Sequence, residues 1–147
     1  MKNFESVDEI LDFAIGREIE AIQLYIELAG KIEKPQMRKV LKAFAVEEQE
    51  HKAKLEEAKA EGIVINDEEV GSLGIAEDIE GGEFRPDMSY ADILIMAMKK
   101  EDVSVKLYTE LAKITQDEEF KDMFLWLAQE ETEHKLRFEL EYDLITF

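Results

Sequence analysis

The chain has 147 residues, with 36 acidic residues against 18 basic and a net charge of −18. That surface repels phosphate backbones and anionic head groups, which argues against nucleic acid and membrane as partners. No cysteine occurs, which excludes disulfides, Cys-ligated zinc, iron–sulfur clusters and rubredoxin-type iron, so any metal must sit on oxygen and nitrogen. The N-terminus lacks the apolar stretch of a signal peptide, and no run approaches the roughly 20 apolar residues of a membrane span, so the expected location is cytoplasmic.

The length fits a single domain over 1–147. Ser6 with Glu9 has the form of a capping box and opens a first helix at about 6–32, stopped by Lys34-Pro35. A second helix is expected at about 36–61, ending at Gly62. Five of seven glycines and one of two prolines then fall in 62–88, read as a crossover. Ser89 caps a third helix at about 89–115, and Asp117 a fourth at about 117–145. Two short links and one long one predict an all-α fold: two αα-hairpins joined by a long crossover, the topology of ferritin-like four-helix bundles.

The halves repeat. A shift of 83 residues aligns Glu18 and Tyr25 with Glu101 and Tyr108, and Glu48-x-x-His51 with Glu131-x-x-His134, without a gap. Each helix also carries an apolar stripe at spacings of three and four. The stripes run Val7, Leu11, Ala14, Glu18, Ala21, Tyr25, Leu28, Ile32, then Met37, Leu41, Phe44, Glu48, His51, Leu55, Ala58. The third is Leu94, Ala97, Glu101, Ser104, Tyr108, Leu111, and the fourth Phe120, Phe124, Leu127, Glu131, His134, Phe138.

Every stripe is interrupted by glutamate, which periodicity places inside, where an unpaired charge costs several kcal/mol. Glu18 and Glu48 stand at equal depth from their turn, about 22 Å at 1.5 Å per residue, and Glu101 and Glu131 are likewise matched. Six side chains are therefore expected in one layer. Four carboxylates there repel unless protonated or bound to cations. In a Glu-x-x-His pair one carboxylate and one imidazole share a helix face and can reach one ion, which leaves Glu18 and Glu101 placed to bridge two. Imidazole with carboxylate suits iron or manganese better than calcium.

Both histidines of the chain fall in this pattern although Glu makes up only 26 of 147 residues, which weighs against accident. Tyr25 and Tyr108, two turns beyond the lone glutamates, read as core aromatics or as catalytic groups that hydrogen-bond a ligand carboxylate or take part in one-electron chemistry. Trp126, Phe44, Met96 and Met98 read as packing, and Glu20 and Glu50, off the stripe, as solvated.

On Glu18 with Tyr25, Glu48-x-x-His51, Glu101 with Tyr108 and Glu131-x-x-His134, the chain resembles the rubrerythrin-like branch of the ferritin-like di-iron carboxylate proteins. The resemblance implies a centre of two iron ions, open to manganese or zinc substitution, with those six Glu and His residues as ligands. It further implies an oxidoreductase that oxidises iron(II) with hydrogen peroxide or dioxygen, in an oxidative-stress or iron-handling role. Such a protein is re-reduced by an external donor such as a rubredoxin-type protein. A homo-oligomer is expected, a dimer ahead of larger assemblies. The alternatives are ferroxidase and iron storage, or a bundle that metal only stiffens. Two features depart from rubrerythrins: the chain has no cysteines for a rubredoxin domain, and Ser104 stands where those proteins carry an extra glutamate. The second brings the ligand set closer to the symmetric bacterioferritin type.

Overall fold

The computed structural model describes residues 4, 6–65 and 84–147. Most of the expected crossover, residues 66–83, therefore lies outside the described residues. Four helices are described: α1 (Val7–Lys31), α2 (Pro35–Glu61), α3 (Tyr90–Ile114) and α4 (Glu118–Thr146), each within a residue or two of its expected bounds.

Local chemistry sets the ends. The Ser6 hydroxyl accepts from Glu9 N at 3.2 Å, Ser89 from Asp92 N at 3.1 Å, and the Asp117 carboxylate from Glu119 N at 3.0 Å. Each satisfies an amide that the first turn leaves without an intrahelical acceptor. Pro35 belongs to α2, where the sequence reading placed it in the break. At the first helical position its missing N–H costs nothing and its fixed φ suits the helix. Gly62 closes α2 at φ 86°, a conformation that side chains with a Cβ rarely adopt, and its N–H reaches Ala58 O at 3.0 Å.

The chain divides into two compact units, Ser6–Ile63 and Val64–Phe147, the second also taking in Phe4. In the first, α1 packs on α2 around Ile10, Leu11, Ala14, Leu28, Met37, Leu41 and Leu55, all buried. In the second, α3 packs on α4 around Leu94, Met96, Leu107, Leu111, Phe124, Leu127 and Phe138. Fully buried Leu or Phe side chains stabilise by about 1.5–3 kcal/mol each, which makes these faces the main favourable contribution to the packing of each hairpin. In the second unit Gln116 N donates to Val64 O at 3.0 Å, and Ile65 pairs with Thr115 in an isolated antiparallel bridge, fastening the start of the crossover to the α3–α4 turn.

The apolar stripes are the inner faces. Every stripe member in α3 and α4 is buried, and in α1 and α2 only Val7, Ala21 and Phe44 keep partial exposure. Glu20 and Glu50 are exposed, as their off-stripe positions require. Trp126 differs from the packing role expected of it and stays 38 % exposed, because it lies outside the stripe that passes through Phe124 and Leu127. Among the described residues no helix is long and apolar enough to cross a membrane.

Candidate metal centre

Each hairpin gathers two carboxylates and one imidazole from facing helices. In the first, α1 supplies Glu18 and α2 supplies Glu48 and His51, all three buried. His51 Nδ1 stands 3.6 Å from Glu18 Oε2 and 3.3 Å from Glu48 Oε1. In the second, α3 supplies Glu101 and α4 supplies Glu131 and His134, again buried. His134 Nδ1 stands 3.5 Å from Glu101 Oε1 and 3.8 Å from Glu131 Oε1. Within either triad each residue offers one donor atom, and these atoms lie within 4.8 Å of one another.

Secondary structure explains the gathering. Glu48 with His51, and Glu131 with His134, are three residues apart and so lie on one helix face. Equal depth from the turn brings Glu18 to the first pair and Glu101 to the second, as expected from the residue counts. The donor chemistry fits a transition metal: carboxylate oxygens with an imidazole nitrogen suit iron, manganese or zinc, whereas calcium and magnesium take oxygen alone. A divalent ion would also offset the charge of two carboxylates buried side by side.

The two tyrosines are fully buried, near their triads in sequence and packed on rings. Tyr25 meets Phe44 edge-on, with centroids 6.1 Å apart and planes at 62°. Tyr108 stacks on Phe124 at 6.3 Å and 17°. Ser104 is buried on the α3 stripe between Glu101 and Tyr108.

The sequence reading missed one buried polar cluster. Glu141, only 4 % exposed, accepts from the Tyr90 hydroxyl at 2.8 Å, and Arg137 Nη1 lies 3.9 Å from its other oxygen. Burial first, and the bond to Glu141 second, push the Tyr90 phenol well above its usual range. The signal for Glu141 was present: the α4 stripe continues from Phe138 by three residues onto another glutamate.

Comparison with known proteins supports the same class of site. No curated protein matches the chain. A solved structure, a hypothetical protein from Pyrococcus furiosus, matches 96 % of this chain and 90 % of its own, with a TM-score of 0.77 and 26 % identity. The family model described as Rubrerythrin matches residues 9–73 and 92–143. Those segments carry both triads and all four helices of an all-α, ferritin-like four-helix fold, and the chain belongs to the Rubrerythrin family.

Proposed function

We propose that the chain is a non-haem di-iron oxidoreductase in which Glu18, Glu48, His51, Glu101, Glu131 and His134 hold two iron ions and hydrogen peroxide or dioxygen is the oxidant. The observation that carries this reading is the repetition of one buried donor set, two carboxylates and an imidazole, in both hairpins at an 83-residue register. Family membership points the same way. Manganese or zinc could occupy the same donors, and the choice of iron rests on the family.

Bound iron would supply a one-electron couple at each triad. The protein's part is to hold the donors and keep bulk water out. Glu18 and Glu48 stand beside His51 in one hairpin, and Glu101 and Glu131 beside His134 in the other, so that each triad could present its donors to one ion. With peroxide, one oxidant, two electrons and two protons give two waters. We assign to the fully buried Tyr25 and Tyr108, two helical turns from Glu18 and Glu101 in sequence, the donation of a hydrogen bond or a proton. In this reading the electrons come from a rubredoxin-type donor.

A specific feature favours a second reading. Ser104 replaces the extra glutamate expected of a rubrerythrin, leaving the near-symmetric ligand set of a ferroxidase, for which iron(II) itself is the substrate.

The test begins with metal analysis of protein purified without added metal. Anaerobic loading with iron(II) follows, then titration with stoichiometric peroxide and with dioxygen, read by absorbance and Mössbauer spectroscopy. Two irons per chain, oxidised by either oxidant, are expected. Bound zinc, with iron-loaded protein inert to both, overturns the reading in favour of a metal that only stiffens the helices. Light scattering separates the second reading, since mineral storage needs a large closed shell.

A further inference from the structure

The two hairpin turns, although products of one repeat, carry opposite charge. Residues 31–42 hold Lys31, Lys34, Arg38, Lys39 and Lys42 against a single acid, Glu33, a formal +4. The register-matched residues 114–125 hold Asp117, Glu118, Glu119 and Asp122 against Lys121, a formal −3. In a chain of net −18 the first turn therefore concentrates positive charge that the rest of the surface lacks.

Part of that charge, on Lys39 and Lys42, is not consumed locally. Elsewhere lysines pair with carboxylates: Lys52 with Glu56 at 3.6 Å, Lys59 with Asp12 at 2.6 Å, Lys106 with Asp102 at 2.9 Å and Lys113 with Glu110 at 3.1 Å. At the turn, Lys31 pairs with Glu27 at 3.3 Å and Arg38 donates Nε to Ile32 O, while Lys39 and Lys42 form no ion pair among the described residues. Arg38 and Lys42 also border a groove of about 350 Å³ with Ile26, Ala29 and Gly30. Ile26 and, one turn past Lys42, Val46 are more than half exposed. Gly30 has open space where a Cβ would stand, which leaves room in the groove.

The acidic turn has the complementary make-up. Glu118, Asp122 and Leu125 follow one another at spacings of four and three and so share a face of α4, with Leu125 49 % exposed. An apolar centre with a charged rim is the anatomy of a protein interface, and here the two rims have opposite sign.

We propose that the basic α1–α2 turn is a docking surface for the acidic α3–α4 turn of a second copy of this chain. Ile26, Val46 and the groove receive Leu125, and Arg38, Lys39 and Lys42 face Glu118, Glu119 and Asp122. If each copy gives and receives, the assembly closes as a pair; if only one contact forms per pair, copies add head to tail.

Sedimentation velocity on the metal-loaded protein tests this, first in 50 mM and then in 500 mM sodium chloride. Association at low salt, weakened at least about tenfold at high salt, is expected of a contact whose charges lie within a Debye length. Two double variants make the test specific, K39E/K42E and E118K/E119K. All four positions are exposed, so circular dichroism should show both variants folded. Each should be monomeric alone. Their equimolar mixture should associate, because the first retains the native acidic turn and the second the native basic one. A wild-type chain that stays monomeric in 50 mM salt overturns the proposal. So does self-association of either variant at wild-type strength, or a mixture that fails to associate.

Discussion

Hairpin α1–α2 and hairpin α3–α4 hold Glu, Tyr and Glu-x-x-His in one register, yet the side chains around those positions differ. Tyr25 meets its neighbour Phe44 edge-on and Tyr108 stacks on Phe124. The two aromatic partners do not occupy matching positions: 83 residues before Phe124 stands Leu41, and 83 after Phe44 stands Leu127. Ser104 stands opposite Ala21 in the register. Towards the open end, away from the turn, Lys59 of α2 reaches Asp12 of α1 at the surface, while Tyr90 of α3 reaches a buried Glu141 of α4. The comparison separates two kinds of constraint. Donor atoms must keep type and spacing in both halves, whereas a packing shell needs only to be full.

Aromatic packing offers the largest expected contrast. Phe124 is fully buried and Phe44 only partly. Phe124→Ala should cost about 3–5 kcal/mol, and Phe44→Ala clearly less, because solvent already reaches part of that ring. At about 2–4 °C per kcal/mol in a chain of this size, calorimetry resolves the two. Equal losses would mean that the hairpins share one packing scheme after all.

Ligand removal should show the opposite, near equality. His51→Ala and His134→Ala each delete one of three donors in a triad, and each should weaken iron binding by more than about 100-fold, beyond the effect of losing a supporting residue. Competition with a chelator of known affinity measures both. A large difference between them would show that the unlike side chains around the two triads, Ser104 against Ala21 among them, bear on metal binding.

The features shared by both halves are those that periodicity reveals. Glutamate on an apolar stripe marks Glu18, Glu48, Glu101 and Glu131, and the same signal marks Glu141, three residues past Phe138. Helix ends followed from Ser6, Ser89, Asp117 and Gly62, since caps are local chemistry. Pro35 joined α2 because a residue that breaks one helix is also well shaped to start the next. Tyr90 and Lys59 were not legible: their partners lie 51 and 47 residues away across a hairpin, and lateral pairing of that kind depends on how the helices are rotated against each other. Trp126 misled because aromatic character alone does not place a side chain inside.

Those two clasps give the smaller predictions. Tyr90→Phe removes the donor to a buried carboxylate and should cost about 1–3 kcal/mol at neutral pH. Because the phenol is raised in the folded state, the protein keeps a proton that the unfolded chain releases near pH 10. The contribution is therefore whole below about pH 10 and declines above it, so urea denaturation should show the gap between wild type and variant narrowing on the alkaline side.

Asp12→Asn should have the smallest effect, and it should fail differently. The hydrogen bond to Asp12, more than any other influence, raises the Lys59 ammonium above its ordinary value, so that clasp too is present below about pH 10.4 and lost as pH rises through the raised value. Both partners, however, are substantially exposed, with side chains 38 % and 59 % accessible. Salt should therefore screen the Lys59–Asp12 pair, and the loss on mutation, detectable at low ionic strength, should vanish in 1 M sodium chloride. The Tyr90–Glu141 clasp is a partly buried hydrogen bond, and its loss should survive the same salt. If Asp12→Asn remained as costly in 1 M salt, the first hairpin would be held at this end by something other than a surface charge, and the contrast between the clasps would collapse.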